Sequence, residues 1–295
     1  MELFADFELD EVEQKDKLRW ITPEEYKAED HADRWFMREH QHELIDKREL
    51  LSQRASYLNR LGRHDEALEI HEKLKRDYGH KGGFRFMAED ACLSTALMIP
   101  SYPATSLLSI LDTLRPTVTN YGDQLQYYSL CSKVYCRSGD WPLFLRSLIF
   151  LTSYLDMTDH WEQMTMLPKE LQGPNFSLGC LVKSSLLLDF QLGMARGFVM
   201  RKLKRDQERM RKNLAETEKE GDKIDRARGE MEKTVVKGGT NDDLSRPVHL
   251  CRWTEGSLLT LSSSLSILDS FLANYSWLLE GMDSLTMQMR AIDRL

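Results

Sequence analysis

The chain has no CxxC pair, no GxxxxGK[ST] phosphate loop, no HExxH helix, no GxSxG elbow and no unbroken run of about 18 apolar residues. Each absence closes a class of function. Its five cysteines, Cys92, Cys131, Cys136, Cys180 and Cys251, have no metal-ligand spacing. Cys131 and Cys136 point in different directions on a helix and read as core thiols. The glycines of Tyr78-Gly79-His80-Lys81-Gly82-Gly83 follow no strand and mark a break in the chain rather than a nucleotide cradle. Among the eight histidines only His40 and His42 sit close together, without further ligands. No metal, cofactor or membrane span is expected. No oriented base or oxyanion site is advertised either, so the chain is expected not to be an enzyme. Positive charge is also short: 40 Lys and Arg against 47 Asp and Glu give a net charge of -7. That excludes a generally basic nucleic-acid binder and leaves only local patches. Met1 is followed by the acidic run Glu2-Leu3-Phe4-Ala5-Asp6-Phe7 rather than a basic and then apolar leader. The expected location is therefore intracellular, cytoplasmic or nuclear, and the sequons at Asn175 and Asn274 are expected to be chance matches.

What the chain does have is helical periodicity. Between Leu50 and Leu74, apolar or small residues at Leu51, Ala55, Leu58 and Leu61 keep helical spacing up to Gly62. Ala67, Leu68, Ile70 and Leu74 resume it beyond. This is a helical hairpin too short to bury its apolar face alone, so it requires neighbours of its own kind. A second pair fits 84–98 and 104–114 around Ile99-Pro100-Ser101-Tyr102-Pro103, with Pro116 as its stop. A third fits 121–137 and 141–155, where Gly139 repeats the role of Gly62, Asp140 can cap and Pro142 suits a first helical turn.

The first hairpin resembles the tetratricopeptide repeat family. The turn glycine matches Gly62, the small residue of the second helix matches Ala67, and the packing positions match Leu58, Ile70 and Leu74. The opening aromatic is replaced by Leu50 or Leu51, and the tyrosine after the glycine by His64 or Asp65. Gly62 and Gly139 are 77 residues apart, about two repeats of the 34-residue class plus insertions. The islands Trp35-Phe36, 61–70 and 184–191 are also similar to an animal protein family with such repeats, which brings no activity with it. The resemblance implies a stack of three hairpins over 20–170 that offers a surface to protein partners.

Outside the hairpins, residues 1–19 form an acidic segment whose Phe4, Phe7 and Leu9 suit a linear docking motif. Thr22-Pro23-Glu24-Glu25 opens a helix, and Trp35 and Phe36 follow as core or anchor residues. Residues 1–50 hold sixteen acidic against eight basic side chains. From 177 to 236 the pattern predicts one long helix that caps the stack and then protrudes. Nearly two thirds of 201–233 is charged, yet Leu203, Met210, Ile224 and Met231 fall on multiples of seven. Arg201, Lys202, Lys204, Arg205, Arg209, Arg211 and Lys212 form a basic patch for phosphates or an acidic partner. After a turn at 237–250, the region 251–295 carries Leu258, Leu261, Leu265, Leu268, Leu272, Tyr275 and Leu279 in three-four alternation. This helix is expected to pair with the long one or with a partner. The whole predicts an all-α fold, a tetratricopeptide-like array followed by a long charged helix and a C-terminal helix forming an antiparallel arm. The expected role is a non-enzymatic scaffold in a hetero-oligomeric protein complex, with RNA association through 201–212 as the alternative.

Overall fold

The computed structural model describes residues 46–80, 82–195, 197–217, 221–237 and 261–292, all helix, turn or connecting segment. The chain divides into two units, Met1–Leu50 and Leu51–Leu295. Of the first only 46–50 is described, where the Asp46 carboxylate accepts the Arg48 backbone N–H at 2.9 Å and caps a starting helix.

The helices in order are α1 (Lys47–Arg60), α2 (His64–Tyr78), α3 (Gly82–Met98), α4 (Ala104–Leu114), α5 (Tyr121–Ser138), α6 (Trp141–Tyr154), α7 (Thr158–Met164), α8 (Phe176–Met194), α9 (Gly197–Thr217), α10 (Gly221–Lys237), α11 (Leu261–Asn274) and α12 (Asp283–Ala291). From α2 to α9 each helix packs on the next. The first hairpin closes on itself through Ala55, Leu58, Ala67 and Ile70.

Two of the turns are built alike. Gly62 (φ 74) and Gly139 (φ 75) are left-handed, a conformation glycine adopts without penalty. In each, the next N–H reaches back five residues, Arg63 to the Leu58 carbonyl and Asp140 to that of Tyr135, both at 3.0 Å. Asp140 then caps α6 by accepting the Leu143 N–H at 3.2 Å, and Pro142 occupies its first turn. The middle hairpin lacks a glycine turn. There Arg137, from α5, donates to the carbonyls of Leu97, Ile99, Pro100 and Tyr102 and holds the α3–α4 connection. Polar links between hairpins repeat as well. Asn59 donates to Thr95 at 3.0 Å and Gln126 to Asp90 at 2.9 Å, each pair 36 residues apart. Lys75 and Glu89 add an ion pair at 2.7 Å between α2 and α3.

Beyond α6 the structure departs from the single protruding helix expected over 177–236. Ala195 leaves the helical region (φ -78, ψ 146) and Gly197 is left-handed (φ 60), so α8 ends and α9 begins a new direction. α9 and α10 both pack on α8. Met210, Leu214, Ala227 and Met231 are buried in the main core, with Leu203 and Ile224 partly buried against it. The seven-residue stripe thus meets α8. α11 packs on α6 rather than lying along the charged helices as an arm, and α12 also packs on α6. Phe271 and Tyr275 seat this segment on Trp161, with ring centroids 5.9 and 5.3 Å from the indole.

Candidate interaction surface

α9 is fixed from one side and charged on the other. Leu203, Met210 and Leu214 face the core. Gln207 bonds to the Asp189 carboxylate of α8, and Arg209 lies 3.2 Å from the Glu162 carboxylate of α7. The remaining arc is solvent-facing: Arg201, Lys202, Lys204, Arg205, Arg209, Arg211 and Lys212 are all exposed. Arg209 is also 3.7 Å from Asp206, and Lys212 is 3.9 Å from Glu216. Among the described residues no carboxylate pairs with Arg201, Lys202, Lys204, Arg205 or Arg211. With seven cations against three acids the helix carries +4. Subtracting this from the chain's -7 leaves -11 for everything else.

Beside this arc lies a cleft of about 130 Å³ between α7, α8 and α9, walled by Met157, Leu188 and Leu203 and rimmed by Glu162, Lys202 and Arg209. Burial raises the Glu162 carboxyl above its ordinary value, and the Arg209 guanidinium opposes that rise. Behind the cleft a buried pair anchors the α6–α7 connection to α8. Lys183 Nζ sits 2.9 Å from Asp156 Oδ2, with the two side chains 4% and 9% exposed. Trp161 Nε1 donates to Asp156 Oδ1 at 2.6 Å, and the Lys183 ammonium lies 5.9 Å from the Trp161 ring centroid. His160, two residues before Glu162, is held below its ordinary value by burial.

No protein-family model, curated protein or solved structure matches the chain. Burial pushes the Cys92 and Cys131 thiols up to about 12, far from thiolate chemistry. Among the described residues no group of three or more His, Cys, Asp or Glu side chains is placed to hold a metal ion, and no helix is long and apolar enough to cross a membrane.

The sequence-predicted residues fall in separate places. Gly62 and Gly139 are at hairpin turns, Ala67 is fully buried between α1 and α2, and Pro142 is half-buried at the start of α6. The proposed basic patch, Arg201, Lys204, Arg205, Arg209 and Lys212, is gathered on α9. Leu272 packs partly buried against the main core. Phe4, Phe7, Leu9, Trp35, Phe36 and Leu258 lie outside the described residues, as does the side chain of Leu265. Sequence reasoning missed the cleft and the Lys183–Asp156 pair. Glu162 and Arg209 are 47 residues apart, and no periodicity relates them.

Proposed function

We propose that the chain is a non-enzymatic adaptor subunit of an intracellular protein assembly, a tetratricopeptide-like array that holds partners on stacked hairpins and on its charged helix. The observation that carries this reading is the recurrence of one unit. Two left-handed glycine turns with the same backbone hydrogen bond reaching back five residues, and two side-chain hydrogen bonds across 36 residues, recur along the chain. Such arrays build extended surfaces without needing a reactive centre. The acidic-aromatic segment over 1–19 supplies a further contact by its composition.

The test is affinity purification of the full chain from its native cell, with and without nuclease, followed by mass spectrometry. Stoichiometric protein partners that persist through nuclease support the adaptor. Partners that vanish on nuclease favour the second reading, an RNA-associated subunit, which rests on the five cations of α9 that no carboxylate engages among the described residues. Purification of the chain alone, in stoichiometric excess over everything else, sinks the adaptor reading.

A further inference from the structure

We infer that the solvent face of α9 and the cleft beside it form a docking surface for an acidic segment of a protein partner that carries an apolar side chain. The assignment rests on the adaptor reading and names the chemistry of one partner. Arg201 to Lys212 spans about 16 Å of helix at 1.5 Å per residue. Over that length α9 presents five cations without a carboxylate partner among the described residues. They are displayed on an element already seated by Leu203, Met210 and Leu214 and tied by Gln207 to Asp189. Little ordering is left for a partner to impose.

Three observations select a protein segment over a phosphate backbone. At about 100° per residue, Arg201, Arg205, Glu208 and Lys212 share one narrow arc opposite buried Met210, so an acid interrupts the track that phosphates would follow. The positive field is local: beyond a Debye length of about 8 Å from α9 the neighbouring α10 carries only +1, so a long polyanion gains little there that a short acidic segment does not. Finally, the cleft adjoining Lys202 has apolar walls in Met157, Leu188 and Leu203, and Met157 is 42% exposed. These walls suit an aliphatic side chain, which a protein segment carries and a phosphate backbone does not.

The experiment uses the full chain and fluorescence anisotropy at low salt with three labelled probes. The first is a helical-spaced peptide of glutamates and leucines, the second the same peptide with serines for leucines, and the third an RNA duplex. The leucine peptide binds most tightly. Combining Arg201→Glu, Lys202→Glu and Arg205→Glu weakens it about tenfold or more. Met157→Ser weakens the leucine peptide by about threefold and leaves the serine peptide unchanged. Met157→Gln serves as a second cleft variant, and a thermal melt confirms that each variant folds. Absence of peptide binding, or an RNA duplex bound more tightly than the leucine peptide and indifferent to Met157, overturns the assignment. If the peptide fails while nuclease-resistant partners still co-purify, this assignment falls and the adaptor reading survives. If the peptide binds to a chain that purifies without partners, the reverse holds.

Discussion

Replacing Lys183 by methionine removes one ammonium from the interior at nearly constant side-chain length. The native ion pair is 2.9 Å long, between side chains 4% and 9% exposed. After the change, Asp156 keeps only Trp161 Nε1 among the donors described for it, at 2.6 Å. Breaking one side of a pair this deeply buried costs about 3–5 kcal/mol, because the surviving charge can neither reach water nor find a counter-ion. Asp156→Asn strands the ammonium instead while preserving an acceptor for the indole, and falls in the same range. The double change removes both charges. Since a buried pair and its neutral replacement differ little in net stability, Lys183→Met with Asp156→Asn should return to within about 2 kcal/mol of the parent. Urea unfolding followed by circular dichroism on all four proteins gives the cycle directly. If Lys183→Met costs under about 1 kcal/mol, or the two single losses simply add in the double variant, the pair is not the desolvated, coupled unit inferred here.

Two glycines of α8 should respond oppositely to alanine. At Gly179 the new Cβ runs into Leu278 Cδ1 and meets Trp277 Cη2 at 2.9 Å. Overpacking of about 1–3 kcal/mol therefore outweighs the helix-propensity gain of about 1 kcal/mol. At exposed Gly193 nothing lies within 4 Å, so alanine raises stability by about 0.5–1 kcal/mol, and thermal melts check both signs. Arg137→Met deprives four backbone carbonyls of their shared donor and costs about 2 kcal/mol, with hydrogen exchange accelerating over 97–103; Arg137→Lys restores only part of it, lacking the planar fork. His71, 7% exposed, is held below 6.5 by burial, so the unfolded chain takes up its proton first. Stability should then fall as pH drops below about 6.5, and His71→Gln should flatten that limb of a pH-dependent urea series. Asp90 and Glu162 carry carboxyls raised by burial. Their contribution has the opposite sign, present in acid and lost as pH rises through their folded values, above the ordinary 3.8 and 4.5.

Helix boundaries were legible where a residue dictates backbone geometry. Pro103 and Pro116 bracket α4, Asp140 and Pro142 start α6, and Gly62 and Gly139 end their helices because a left-handed corner suits glycine. Partners were not legible in the same way. The stripe through Leu203, Met210, Ile224 and Met231 states which face is apolar and says nothing of what covers it, so a protruding arm and a helix folded onto α8 look alike in sequence. The break at Ala195 has no proline to announce it. Arg137 binds main-chain oxygens, which side-chain patterns never show. Lys183 sits in a run from Leu178 to Ser185 that is buried without interruption, and its counter-ion is on another helix connection. A run buried on every side belongs to a helix with neighbours all round, and that was the one available hint that α8 is central.

α9 and α10 allow the charge on the docking surface to be separated from the needs of folding. Both helices lie on α8, and both bury a stripe from the same seven-residue series. α10 has five cations and four acids, a net of +1, which suffices to keep an amphipathic helix solvated. α9 carries +4 over similar length, with Arg201, Arg205 and Lys212 on one arc that holds a single acid, Glu208, so that cations outnumber acids there three to one. Solvation alone would be met equally well by the mixed pattern next door, and repulsion within the helix works against stability. Under the docking proposal that surplus is what an acidic segment would engage. An acidic segment reaching along α9, with an apolar side chain in the Met157 cleft, would relieve that repulsion only while it is bound.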